Sequence, residues 1–168
     1  MPDYPLDQLA EIKKRRLEEA EKILREKKET LAKEQEKLTQ LEKKRDEVKA
    51  HYKAKLTQLR EKLDAGESST KITQMKQYLK TVVEDLNVEE KKVAAQVVIV
   101  ENATKQVEDA RQELFKKQKD VEKLKLHHKE WSKEMHTLEE RHESNEGDEM
   151  GSTMHHLKKT EKKRRTRE

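Results

Sequence analysis

The sequence predicts an all-α protein: a long antiparallel two-helix coiled-coil hairpin with a flexible basic C-terminal tail. Composition is the first reason, since 45% of the 168 residues are charged and only 30% are hydrophobic. So small an apolar share can form one stripe along helices, but it cannot line a compact core on several sides. The second reason is that aliphatic residues recur every seven positions over long stretches, which is the pattern of a coiled coil.

A first helix is predicted over about residues 5–64. Pro5 suits the first helical turn, where its missing N–H is not needed, and no glycine follows before Leu63. The apolar positions then repeat every seven residues at Leu17, Leu24, Leu31 and Leu38. After Val48 the spacing changes to Tyr52, Leu56, Leu59 and Leu63, which predicts a four-residue stutter that relaxes the supercoil.

A turn is predicted at residues 65–70 and a second helix over about 70–143. Gly66 can adopt the left-handed conformation that ends a helix, and Ser68 or Ser69 can cap the next one. The heptad then runs from Ile72 to His142. Its seam positions are Ile72, Met75, Leu79, Val82, Leu86, Glu89, Val93, Gln96, Val100, Ala103, Val107, Ala110, Leu114, Lys117, Val121, Leu124, His128, Trp131, Met135, Leu138 and His142. Residues 1–143 therefore form the hairpin, and residues 144–168 are predicted to be its flexible tail.

Two features of the second helix suggest contacts with other proteins. The stretch Val97, Val98 and Ile99 spreads apolar surface beyond the seam. It is either a broader local core under the first helix or an exposed strip for another protein. The second helix is also longer than the first, so Trp131 is expected to lack a partner within the chain and to contact another protein.

The sequence predicts no catalysis, no cofactor, no metal site and no small-molecule substrate. It has no cysteine, no Gly-rich phosphate loop and no HExxH motif. His127 and His128 are adjacent, so a helix points them in directions about 100° apart and they cannot bind one ion together. The basic tail has no interleaved aromatic residues, which favours electrostatic steering over nucleic-acid binding. No run is apolar enough to span a bilayer, so membrane contact is expected only indirectly.

The opening of the chain, from Tyr4-Pro5-Leu6-Asp7-Gln8-Leu9-Ala10-Glu11-Ile12 to Glu21, resembles the YscO family of type III secretion proteins, and its chlamydial members in particular. The family is related to flagellar FliJ. The resemblance implies a non-enzymatic stalk that couples a hexameric secretion ATPase to the export gate and also engages export chaperones. It further implies a cytoplasmic location at the inner-membrane face of the secretion apparatus.

By analogy with the γ subunit of rotary ATPases, the resemblance suggests which ends make these contacts. The end with both termini would enter the ATPase, presenting Leu6, Leu9 and Ile12 beside Tyr4. The turn end, with Tyr52 and Tyr78, would face the export gate. An escort that carries empty export chaperones, or a generic dimeric coiled-coil rod, remains an alternative. Because a five-residue loop closes at little entropic cost, the isolated chain is expected to be a monomer.

Overall fold

The computed structural model describes residues 4–165, apart from the side chains of residues 161 and 163–165. Two helices make up this part of the chain: α1 spans Asp7–Asp64 and α2 spans Ser69–Arg165. The helices pack against each other, and the described residues contain no strand. The predicted all-α helical hairpin is therefore confirmed.

The chain divides into two compact units. The turn unit is Glu18–Phe115, and the terminal unit combines Met1–Leu17 with Lys116–Glu168. Each unit thus contains a part of both helices, and each is considered by itself below.

The connection in the turn unit is a glycine-terminated helix end followed by a short link. Gly66 has a φ of 75°, a conformation that costs a residue with a Cβ atom about 1–2 kcal/mol. The amide of Gly66 donates to the carbonyl of Leu63 at 3.2 Å, and that of Glu67 donates to the carbonyl of Lys62 at 3.1 Å. These two bonds form a Schellman motif, which satisfies the last carbonyls of α1. The two bonds therefore pair the carbonyls of Lys62 and Leu63, and α1 ends at this glycine.

The apolar core of the turn unit follows the heptad seam. Leu59, Ile72 and Leu79 form a buried cluster against which Tyr52, Leu56 and Met75 pack. Further along α2, every buried residue of this unit also lies at a predicted seam position: Val82, Glu89, Val93, Gln96, Ala103 and Val107. The stutter predicted after Val48 is wrong. Tyr52 and Leu59 continue the seven-residue spacing of α1, whereas Leu63 is 49% exposed.

Two polar residues are buried in this seam, and they pair across the helices. The Gln96 side-chain amide donates to the Glu34 carboxylate at 2.6 Å and to the Glu34 main-chain carbonyl at 3.1 Å. Glu89 accepts a hydrogen bond from Lys92 at 2.9 Å and lies 3.7 Å from the Lys44 ammonium. The bond from Lys92, with help from the charge of Lys44, holds the pKa of Glu89 below its ordinary value although burial opposes this. A shifted helix register would separate these partners, so the pairs favour the observed register.

In the terminal unit, α2 is longer than the sequence predicted. The helix was expected to end near residue 143, but it continues to Arg165. Glutamate, methionine and lysine favour helix in this stretch, and the two glycines within it cost only about 1 kcal/mol each. The buried part of the seam ends well before the C-terminal end of α2. Met135 is half-buried, whereas Leu138 and all of residues 140–160 are exposed.

Candidate partner-binding surfaces

A cluster of aromatic rings in the terminal unit attaches the segment before α1 to α2. Tyr4 is only 5% exposed, and its hydroxyl lies 2.6 Å from Nδ1 of His127, a hydrogen-bond distance. Its ring centre is 4.5 Å from that of His128 and 5.3 Å from that of Trp131, both in edge-on arrangements that aromatic rings prefer. Burial, together with the nearby Asp7 carboxylate, raises the pKa of the Tyr4 hydroxyl above its ordinary value.

The prediction that Trp131 lacks a partner within the chain is wrong. It compared the lengths of two helices and ignored the residues before the first one. Tyr4 lies three residues before α1, and its ring reaches Trp131. The signal was present in the Tyr-Pro-Leu opening, where an aromatic residue precedes a proline that stiffens the entry to the helix.

Further along the terminal unit, an ion pair joins α1 to α2. The Lys13 ammonium donates to the Asp120 carboxylate at 2.7 Å. This hydrogen bond, reinforced by the charge of Lys13, lowers the pKa of Asp120. A groove lies beside the aromatic cluster. It is lined by Tyr4, Asp7, Ala10, Lys14, Val121, Leu124, Lys125 and His128.

The predicted contact residues of α1 differ in their exposure. Leu6 is half-buried, whereas Leu9 is 40% and Ile12 is 46% exposed. Leu9 and Ile12 are three residues apart, which brings them together on one face of a helix. Of the predicted contact residues in the terminal unit, Tyr4 and Trp131 thus pack against each other within the chain. Leu9 and Ile12 form an accessible apolar pair.

In the turn unit, the interpretation of the valine-rich stretch as a broader core is wrong for two of its three residues. Val97 is half-buried, but Val98 is 54% and Ile99 is 46% exposed. Val88, which the sequence analysis missed, is also exposed. It precedes Ile99 by eleven residues, which is about three helical turns, so both lie on one face of α2. We call Val88, Val98 and Ile99 the valine strip.

The two tyrosines assigned to the turn end have different environments. Tyr52 is half-buried and packs on the Leu59 cluster, so it contributes to the core. Tyr78 is exposed, and its hydroxyl lies 2.9 Å from Nε2 of His51. The Lys55 ammonium lies 5.9 Å from the centre of the Tyr78 ring, within the range of a cation–π contact. Tyr78 is therefore the accessible member of this pair.

Among the side chains that the structure describes, no three potential ligands converge as a metal site would require. Within the same part of the chain, neither helix contains a stretch apolar enough to span a bilayer.

Comparisons with known proteins agree on one family. The YscO-like family model matches residues 1–162. A solved structure described as a YscO homolog from Chlamydia trachomatis superposes with a TM-score of 0.91 at 47% sequence identity, covering 95% of this chain and 99% of that one. No curated protein gives a significant match. The chain belongs to the YscO-like family and is a protein associated with type III secretion.

Proposed function

We propose that this protein is the stalk that couples the hexameric secretion ATPase to the export gate, on the cytoplasmic side of the inner membrane. Membership of the YscO-like family supports a role in type III secretion. The proposal assigns no catalytic step to the chain itself. Its role is to contact the ATPase through the terminal unit and the gate through the turn end.

The exposed pair Leu9 and Ile12 is the observation on which the ATPase contact rests. The aromatic cluster around Tyr4 fixes the start of α1 against α2, so this pair is held in place before any partner arrives. A pre-ordered apolar pair loses little conformational entropy on binding, which is what an anchor in an interface requires. Exposed Tyr78, with the nearby His51 and Lys55, offers a polar aromatic surface for the gate.

The test is the hydrolysis rate of the cognate secretion ATPase, titrated with the full-length protein. The double variant Leu9→Ser/Ile12→Ser should raise the half-maximal concentration by at least about tenfold, because about 1.4 kcal/mol of binding energy is lost with two anchors. Ile23→Ser is the matched control, since Ile23 is 43% exposed but belongs to the turn unit. It should leave the titration unchanged.

A flat titration with the unaltered protein, from an ATPase that is active and assembles, would overturn the coupling role. Equal effects of the Leu9/Ile12 variant and of the Ile23 control would overturn the assignment of the contact to the start of α1. Circular dichroism at 222 nm verifies that each variant keeps its helices.

The valine strip favours a second candidate, an escort that carries export chaperones. Val98 and Ile99 lie on a charged helix and are not covered by α1, as a docking surface requires. The variant Val98→Ser/Ile99→Ser should then lose capture of purified export chaperones while the ATPase titration stays unchanged. Retained capture by this variant would exclude the escort role for the strip.

A further inference from the structure

The exposed end of α2 has two halves of opposite charge. Residues 139–149 contain six Asp or Glu residues and one Arg, whereas residues 150–168 contain seven Lys or Arg residues and two Glu. Counted this way, the two halves have net charges of −5 and +5. One continuous helix joins them as far as Arg165, and residues 140–160 are exposed throughout.

An apolar stripe lies where the two halves meet. Met150, Met154 and Leu157 are 67%, 57% and 61% exposed. Their spacing of four and then three residues aligns them on one face of the helix. Gly147, three residues before Met150, continues this face with no side chain. The stripe exists only because α2 stays helical here, since an irregular tail would not align these residues.

We propose that this segment pairs antiparallel with the same segment of a second copy of the chain. An interface with two-fold symmetry brings each acidic half against the basic half of the other copy. In a pairing centred between Met150 and Met154, Met150 faces Met154 of the second copy. Gly147 then faces Leu157, and Glu146 faces Lys158. The two apolar stripes meet in the middle, and the hairpin of each copy stays intact.

The charge pattern is the reason to choose a second copy as the occupant. A basic segment alone would suit nucleic acid or an anionic lipid surface. The acidic half beside it would be repelled by either of them, because both carry dense negative charge. A second copy supplies the opposite charge to both halves at once. Since each copy contributes only three large apolar side chains, the dimer is reversible, with a dissociation constant on the order of micromolar.

This inference is independent of the proposed function, because its test measures mass and not ATPase activity. Sedimentation equilibrium of the full chain, from about 1 to about 300 µM, should show a rise from 20.0 kDa towards twice that mass. Raising the salt from about 0.05 to about 0.5 M should weaken the dimer by about tenfold or more, since exposed charges are screened.

Charge reversal supplies the decisive comparison. The variant Glu143→Lys/Glu146→Lys reduces the net charge of residues 139–149 from −5 to −1, and Lys158→Glu/Lys162→Glu reduces that of residues 150–168 from +5 to +1. Each variant alone should dimerise more weakly than the unaltered chain, whereas an equimolar mixture of the two, which restores one pairing of −5 with +5, should dimerise more tightly than either variant. Glu29→Lys/Glu36→Lys, which reverses two exposed charges in the turn unit, is the matched control and should dimerise like the unaltered chain.

Three results would overturn the proposal. The first is an unaltered chain that remains at 20.0 kDa over the whole concentration range, and the second is a dimer whose dissociation constant is the same in both variants as in the unaltered chain. The third is monomeric binding to vesicles containing phosphatidylglycerol with no rise in mass, which would assign this face to lipid instead. Helicity at 222 nm distinguishes a lost interface from a lost helix.

Discussion

Replacing Leu79 by alanine tests the claim that a narrow seam stabilises the turn unit. Leu79 is 8% exposed and belongs to the cluster with Leu59 and Ile72. The substitution removes three carbon groups, one methine and two methyls, and each is worth about 0.8 kcal/mol when buried. The higher helix propensity of alanine offsets about 0.2 kcal/mol of the loss in the free energy of unfolding. Because the seam is one side chain thick, neighbouring residues can partly close the gap, which keeps the cavity contribution small.

The free energy of unfolding should therefore fall by about 2–3 kcal/mol. Urea unfolding followed at 222 nm measures it, with the slope of the transition compared between variants to verify that the same surface unfolds. Leu63→Ala is the matched control, because this leucine lies at the end of α1 and is 49% exposed. It should lose less than about 1 kcal/mol.

Equal losses for the two leucines would refute the reasoning. They would mean that the buried cluster does not contribute more to stability than a half-exposed residue beside the turn. A loss at Leu79 below about 1 kcal/mol would also refute it. Such a loss would show that the removed groups of Leu79 are not buried in the folded protein.

Three other predictions follow from single contacts. Gly66→Ala should destabilise by about 1 kcal/mol because its φ is 75°, whereas Gly151→Ala, inside α2, should stabilise by about 0.5–1 kcal/mol; urea midpoints compare them. The lowered pKa of Asp120 means that its stabilisation is complete above its ordinary value of 3.8 and is lost as the pH falls through the lowered pKa. Asp120→Asn should thus destabilise at about pH 6, and urea titrations should show the difference shrinking as the pH falls below the ordinary value of 3.8. Tyr4→Ala should shift Trp131 fluorescence to the red by exposing its ring to water, whereas Tyr4→Phe, which keeps the ring contact, should shift it less.

The seam of the turn unit could be predicted because burial in a two-helix pair depends on periodicity alone. Ile72, Leu79, Val93 and Val107 lie seven or fourteen residues apart, and each is buried. Even the polar seam position Gln96 is covered, since its register and not its polarity decides which way it points. The predicted stutter was wrong because the seven-residue spacing of α1 continues through Tyr52 and Leu59. The change of residue type after Val48 was mistaken for a change of register.

The contacts that periodicity does not describe could not be predicted from the heptad repeat. The fold-back of Tyr4 onto Trp131 depends on a short non-helical segment, which has no repeat. The continuation of α2 past residue 143 depends on a small balance between good helix formers and two glycines. For Val98 and Ile99, the sequence left two alternatives open because extra apolar residues on a helix can face either a partner helix or solvent. Only the observed pairing with α1 distinguishes them.

The central claim is that the start of α1 is the surface that contacts the secretion ATPase. Photo-crosslinking in cells with an active secretion system tests it most directly, with a benzophenone amino acid placed at Ile12, at Leu63 or at Ile99 in separate strains. We expect crosslinks to the ATPase from position 12 and none from the two positions in the turn unit. Crosslinks to the ATPase from position 63 or 99, with none from position 12, would contradict it.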